Sequence, residues 1–349
     1  MNTVKSLLRW AAVQGVKLDG IKPKATAEHG FGMVATRTLM EGDVVMTVPI
    51  DNIRSLHTVP GAVRGKLAEA SIHGLLAADI LSNPPEATHW GKLVPKLADF
   101  QEQLPYFWPE ELQELLPTEA KSLLAKQQQM LHRDWEQFKI GFPDTHMQDY
   151  SYAWFLVGTR AFYYETPEMK SYPWHDRLAL LPVADLFNHA ATGCSVSYWP
   201  SKSYTITSDR QYFAGDEVYT SYGKHSNDYL LAEYGFVLPE NPADLVCLDD
   251  IILPKLSDEQ KALFDESGIV ANFMLPCDRT KEALQQLRQI APNIDVSLSS
   301  LLAEFLGRID DTKQIIGTSE AGTNSQRALL VRRWNQIEAI VTKSIEELD

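Results

Sequence analysis

The strand-like stretches of this chain are short and are parted by long helical runs, and that order limits the fold. Residues 20–60 read as strands: Gly30-Phe31-Gly32-Met33-Val34-Ala35-Thr36, a Glu41-Gly42-Asp43 turn, then Val44-Val45-Met46-Thr47-Val48 ended by Pro49. Residues 61–175 read as mostly helical. Leu67, Ile72, Leu75, Leu76 and Ile80 form one periodic face stopped by Asn83-Pro84-Pro85, further helices are expected at 110–116 and 120–138, and the nearly apolar run 151–164 predicts a buried helix. Residues 176–247 return to strands, with 194–199 and 204–207 flanking Pro200-Ser201-Lys202-Ser203, and 218–220 following Gly215-Asp216. A helix then starts after Ser226 as N-cap and ends near Gly235. Residues 248–349 read as helical, with Ser257 and Asp278 as caps and a last helix carrying Leu330, Trp334, Ile337, Val341 and Leu348 on one stripe. Strands and helices do not alternate regularly, which argues against a doubly wound nucleotide-binding sheet.

Composition bounds the remaining classes. The 349 residues are 44% hydrophobic and 22% charged, ordinary globular usage that leaves ample material for a core. No apolar run approaches the ~18 residues of a membrane helix. Cys194, Cys247 and Cys277 are far apart and odd in number, so they supply neither a disulfide framework nor a Cys-x-x-Cys zinc site and read as buried small hydrophobes. The net charge of −14 disfavours nucleic acid and favours a basic protein partner, although it also serves solubility. Residues 1–18 hold Lys5, Arg9 and Lys17 and no acid, as a transit peptide would; Val4, Leu7, Leu8, Ala11 and Ala12 at helical spacing, with Trp10, favour an amphipathic first helix over residues 1–19.

Several familiar signals fail. Gly30-Phe31-Gly32 lacks the third glycine and the following helix of a dinucleotide fingerprint. His132-Arg133-Asp134 sits inside a helical run, without the other parts of a kinase site. There is no Gly-x-Ser-x-Gly elbow, and the nine histidines form no His-x-x-x-His pair, so no metal site is supported.

Three separated segments share one chemistry. In His29-Gly30-Phe31-Gly32 the glycines allow close backbone approach to something bound, or a bulge. In Leu181-Pro182-Val183-Ala184-Asp185-Leu186-Phe187-Asn188-His189, polar groups follow an apolar lead-in and need partners if buried. In the segment from Thr220 to Phe236, Tyr222 precedes a glycine at a strand-to-helix junction, while Tyr234 and Phe236 offer ring surfaces. Each alone also reads as a bulge, a polar turn or an aromatic mini-core.

Together, and with Thr159-Arg160-Ala161-Phe162 ahead of the Asn-His segment, they resemble the SET-domain protein methyltransferases, the class typified by the Rubisco large-subunit lysine methyltransferase. The resemblance covers residues 25–245 and implies an α+β SET fold of short β-sheets. Residues 20–60 and 176–247 would form its two parts, 61–175 a helical insertion and 248–349 an all-helical substrate-binding domain, shorter than is usual in the class. It implies S-adenosylmethionine as cofactor, approached by the backbone of His29 (often Glu in the family), Gly30, Phe31 and Gly32. Arg160 would grip its carboxylate, Asn188 and His189 the adenine edge and amino group, Phe236 the adenine face, with Asp185 near the site. Tyr222 would be the active-site tyrosine, contacting cofactor and incoming amine, and Tyr234 a wall of the lysine channel. The implied function is methylation of lysine in a non-histone protein bearing a basic segment, in the cytoplasm or nucleus, with no nucleic acid, membrane or metal. Histidine methylation, as in one branch of the class, and a non-catalytic interaction module are the alternatives. The residues are silent on oligomeric state and target.

Overall fold

The computed structural model of the chain describes residues 2–26, 30–67, 69–83, 90–199, 202–257, 273–278 and 298–348. In chain order these form α1 (Asn2–Val13), β1 (Lys17–Leu18), β2 (Ile21–Ala25), β3 (Phe31–Ala35), β4 (Val44–Pro49), α2 (Gly61–Lys66), α3 (Ile72–Ser82), α4 (Leu97–Gln103), α5 (Glu110–Gln113), α6 (Thr118–Gly141) and α7 (Met147–Arg160). There follow β5 (Ala161–Tyr163), β6 (Leu178–Leu180), β7 (His189–Trp199), β8 (Ser203–Thr207), β9 (Glu217–Val218), α8 (Asn227–Tyr234), β10 (Leu245–Cys247), α9 (Asp249–Ile252), β11 (Met274–Pro276), α10 (Leu298–Thr318) and α11 (Asn324–Glu346). Two compact units result, one of residues 1–100 and 128–223, the other of residues 101–127 and 224–349.

The first unit carries three small antiparallel sheets, in strand orders β1-β4-β8-β7, β2-β3-β9 and β5-β6. In β4, Val45, Met46 and Val48 are buried. The hairpin β7-β8 closes where the Lys202 N–H donates to the Trp199 carbonyl at 2.9 Å. The expected strand at 218–220 divides: Glu217–Val218 pairs with Val34 and Met33 of β3, and Thr220 bridges separately to His189 and Cys194.

Three helix boundaries differ from the sequence expectation. The run 151–164 does not stay helical: α7 stops at Arg160 and the next three residues pair with β6 as a strand. Their apolar character suits either state, and the strand partner that decides lies outside the local sequence. The helix expected at 110–116 ends at Gln113, short of Pro117, which disfavours helix before it. Leu67 falls between α2 and α3, and α3 is buried all round from Ile72 to Ile80 and not on one face. Its first turn is satisfied by a local cap and a distant carboxylate. Ser71 accepts from the Gly74 N–H and donates to Asp134 Oδ2, both at 2.8 Å, while Asp176 accepts from the N–H groups of Ile72 (2.7 Å) and His73 (2.9 Å). Pro84, Pro85, Pro200, Ser201 and the helices expected after Ser257 and Asp278 lie outside the described residues.

In the second unit α8 begins and ends on local signals. The Ser226 hydroxyl accepts from the Tyr229 N–H, and Gly235 closes the helix at φ 76°, where a Cβ would meet the Gln103 carbonyl at 2.7 Å. Thr323 and Gln326 form a reciprocal capping box at the start of α11. The α11 stripe buries Leu330, Trp334, Ile337 and Val341; Leu348 lies beyond the helix and is only partly covered. These residues pack with Leu112, Leu116 and Leu124 from the segment 101–127 in one apolar core, each fully covered side chain worth about 1.5–3 kcal/mol. Among the described residues no helix is long and apolar enough to cross a membrane.

One charged group lies at the centre of this unit. Arg333 is fully buried; its Nε donates to Asp228 Oδ1 at 2.7 Å and its Nη1 to Asp244 Oδ2 at 2.6 Å. Burial raises the Asp228 carboxyl and Arg333 pulls it back down. Removing the cation strands two buried carboxylates, so Arg333→Met is expected to cost about 3–5 kcal/mol in urea unfolding. The deficit should shrink as the pH is lowered, because Asp228, pushed up by burial, loses the cation that pulls it down and takes up a proton more readily in the folded variant than in the unfolded chain. An unchanged unfolding midpoint would show that the arginine does not hold this unit.

Candidate active site

The site grows from a close passage of two stretches of the first unit. The segment from Asn188 into β7 runs beside the segment following β9: the Thr220 N–H donates to the Asn188 carbonyl at 3.0 Å, and the Cys194 N–H to the Tyr219 carbonyl at 2.8 Å. Gly193 makes the approach possible, since a Cβ there would lie 2.7 Å from the Tyr219 carbonyl oxygen and 2.8 Å from the Thr220 carbonyl carbon. This passage sets His189 against Tyr222. The Tyr222 N–H donates to His189 Nδ1 at 3.0 Å, which leaves the ring proton of the neutral imidazole on Nε2, and the two rings lie 5.0 Å apart. The Tyr222 hydroxyl donates to the Phe187 carbonyl at 2.8 Å. Burial pushes its phenol up to about 12, and Arg160 opposes that shift.

Arg160 joins the same cluster from the end of α7. Its Nη1 donates to the Asp185 carbonyl at 2.7 Å, while its Nε is buried with no hydrogen-bond partner among the described residues. Asp185 is buried, and desolvation pushes its carboxyl up to about 6 against the pull of Arg160 and Trp90. Trp90 Nε1 donates to Asp185 Oδ2 at 2.8 Å; Oδ1 meets no donor at hydrogen-bonding geometry among the described residues. The backbone just before is strained: Val183 sits at φ 80°, ψ −40°, a region that costs a β-branched residue about 1–3 kcal/mol. Trp90 in turn lies under Arg54, whose guanidinium stands 6.0 Å from the indole centroid and pairs with Asp79 at 2.7 Å.

The glycine strand meets this cluster through Gly32. A Cβ on Gly32 would lie 2.3 Å from Glu217 Oε1 and 2.8 Å from Asn188 Nδ2, and these two atoms are themselves hydrogen-bonded at 2.7 Å. Gly30 takes φ 72° in a turn closed by the Thr26 N–H on its carbonyl, and Phe31 opens β3 half-buried. Gly32 thus borders the Asn188 amide, His189 bonds Tyr222, and Arg160 bonds the Asp185 carbonyl three residues before Asn188, near enough for its charge to act on the Tyr222 phenol. His29 lies outside the described residues. Tyr234 and Phe236 belong to the second unit, their rings 6.1 Å apart in an aromatic group that includes Tyr229. Trp90 and Glu217 were not singled out in the sequence; a lone tryptophan and a glutamate beside a turn carry no local pattern. Cys194 and Cys247 are buried, and none of the three cysteines is in a disulfide. Among the described residues no cluster of three or more His, Cys, Asp or Glu could hold a metal ion.

A SET-domain model matches residues 30–223, more than half of the chain, and the chain belongs to the SET-domain family. It is 25% identical over 252 residues to the ribosomal lysine N-methyltransferase set11 of Schizosaccharomyces pombe, covering 71% of this chain and 65% of that protein. It is 24% identical over 260 residues to the actin-histidine N-methyltransferase of Canis lupus familiaris, covering 69% of this chain and 44% of that protein. The chain therefore spans under two thirds of the length of either relative. A solved structure of Rubisco LSMT bound to sinefungin and monomethyllysine superposes over 100% of this chain and 93% of that chain, with a TM-score of 0.65 and 20% identity, which shows the common fold.

The buried Asp185 gives a stability test. A carboxyl raised from 3.8 to about 6 on folding binds more protons in the folded than in the unfolded state between those values. Its contribution is therefore greatest at low pH and is lost as pH rises from about 4 to 6. Asp185→Asn keeps an acceptor for Trp90 and removes the ionisation, so the variant should match wild type near pH 4 and exceed it by about 2–3 kcal/mol at pH 7. Parallel stability curves for the two proteins across that range would refute the assignment.

Proposed function

We propose that this protein is an S-adenosylmethionine-dependent protein lysine N-methyltransferase acting on a basic segment of a non-histone protein. The observation that carries the reading is the unspent edge of Arg160. With Nη1 on the Asp185 carbonyl, the buried Nε, without a hydrogen-bond partner among the described residues, marks a guanidinium edge suited to a carboxylate, and a buried donor of this kind costs about 1–3 kcal/mol unless an acceptor is supplied. The residues present thus fit the amino-acid end of the cofactor, which when bound supplies an activated methyl group on sulfur. Arg160 would hold the carboxylate end; Asn188, His189 and the backbone of Gly30 to Gly32 would hold the rest, and Phe236 is assigned to the adenine face.

Tyr222 acts as an orienting group and not as a base. A phenol pushed up to about 12 keeps its proton at neutral pH, and that proton is given to the Phe187 carbonyl. Its oxygen would make weak C–H···O contacts that align the methyl with the incoming amine. A lysine ammonium, pKa ≈ 10.4, cannot attack; surrounding it with aromatic walls such as Tyr234 disfavours the charged form, and the proton leaves to water. The protein's charge of −14 draws a basic target segment. Free cysteines suit the cytoplasm or nucleus as the place of action.

The relation to an actin-histidine N-methyltransferase keeps imidazole as the second acceptor to test. Labelled S-adenosylmethionine incubated with the protein and a cell extract, followed by mass spectrometry of the modified peptides, distinguishes methyl-lysine from methyl-histidine. Absence of any labelled protein would count against both. Tyr222→Phe is expected to lower transfer at least ~100-fold while S-adenosylhomocysteine still binds in calorimetry. Full turnover by that variant would remove Tyr222 from the mechanism.

A further inference from the structure

Glu217 has its two carboxylate oxygens occupied by the protein itself. Oε1 accepts from Asn188 Nδ2 at 2.7 Å, and Oε2 accepts from the Tyr219 hydroxyl at 3.1 Å. The strand pairing of β9 with β3 puts Glu217 opposite Val34, so its side chain reaches across Gly32, where only the missing side chain leaves room for the pair. Gly32 therefore serves a contact made within the chain as well as any approach to a ligand.

A carboxylate only accepts hydrogen bonds, whereas a side-chain amide has one donating and one accepting end. A glutamate at this position thus dictates which end of the Asn188 amide faces inward. We infer that Glu217 is a positioning residue: by holding Nδ2, it turns Asn188 Oδ1 toward the site as an acceptor for the α-ammonium of the cofactor's amino-acid end. The inference rests on the cofactor reading proposed above. In an amino acid the ammonium and carboxylate share one carbon. A carboxylate gripped by Arg160, which is tied to the Asp185 carbonyl three residues before Asn188, brings the ammonium to the same cluster. With the amide reversed, an N–H would face a cation and repel it.

The test compares S-adenosylhomocysteine with 5′-methylthioadenosine, which lacks the amino-acid end, by calorimetry on the full chain. Glu217→Leu should weaken S-adenosylhomocysteine about tenfold and leave methylthioadenosine unchanged, and Glu217→Gln, whose carbonyl still accepts from Nδ2, should stay near wild type. Equal loss for both ligands would mean a structural role only, and no loss would mean no role; either overturns the inference. Should Glu217→Leu fail to fold, the exchange answers instead. Asn188→Asp sets two carboxylates face to face and should lose S-adenosylhomocysteine, whereas Asn188→Asp with Glu217→Gln restores a donor–acceptor pair and should recover it. An exchange no better than the single variant overturns the inference. If wild type binds neither ligand, the cofactor reading itself fails and takes the inference with it.

Discussion

The passage of the Asn188–Cys194 segment alongside Tyr219–Tyr222 is what the candidate site depends on. Two backbone hydrogen bonds fix it, and it is close enough that Gly193 has no room for a side chain. Two regions about thirty residues apart in sequence become one rigid frame. On it Tyr222 is gripped at both ends, by His189 through its N–H and by Phe187 through its hydroxyl. A phenol so held presents its oxygen in one direction, and its burial keeps it neutral. Orientation is thereby separated from proton transfer, which suits a reaction whose main demand is alignment.

Around this frame residues between β4 and α4 supply support. Trp90, from the stretch between α3 and α4, reaches Asp185, and Arg54 with Asp79 stands behind the indole. Asp185 is thus a buried acid steadied from a distance, next to strained backbone at Val183. Strain and a buried carboxyl raised by desolvation are unfavourable for folding alone. Their occurrence together beside Arg160 is the pattern expected where a site is held ready for a ligand.

What could be read from the sequence was what is decided locally. Helix α8 starts at Ser226 and stops at Gly235 because a hydroxyl cap and a left-handed glycine act within one turn. The stripe Leu330, Trp334, Ile337, Val341 is an interval pattern, and it is buried. The end of α7 is not decided locally: residues 161–163 are apolar in a way that satisfies a helix or a strand, and β6 makes the choice. Arg160, Asp185, Asn188, His189 and Tyr222 are candidates through resemblance to a family, since spacing alone does not show which of them converge. Trp90 and Glu217 escaped notice because their partners lie 95 and 29 residues away. The second glycine of Gly30-Phe31-Gly32 was noticed for its backbone, while the space it leaves is taken up by a side-chain pair from elsewhere.

The interleaving of the two units bears on how the protein can be dissected. Residues 101–127 lie in sequence between the two stretches of the first unit, yet Leu112, Leu116 and Leu124 share a core with α10 and α11. A fragment trimmed at the end of the strand-rich region would keep these leucines and lose their cover, leaving an apolar face exposed to water and prone to self-association. Truncation at a sequence boundary would therefore not liberate the first unit alone; excision of 101–127 would have to accompany it.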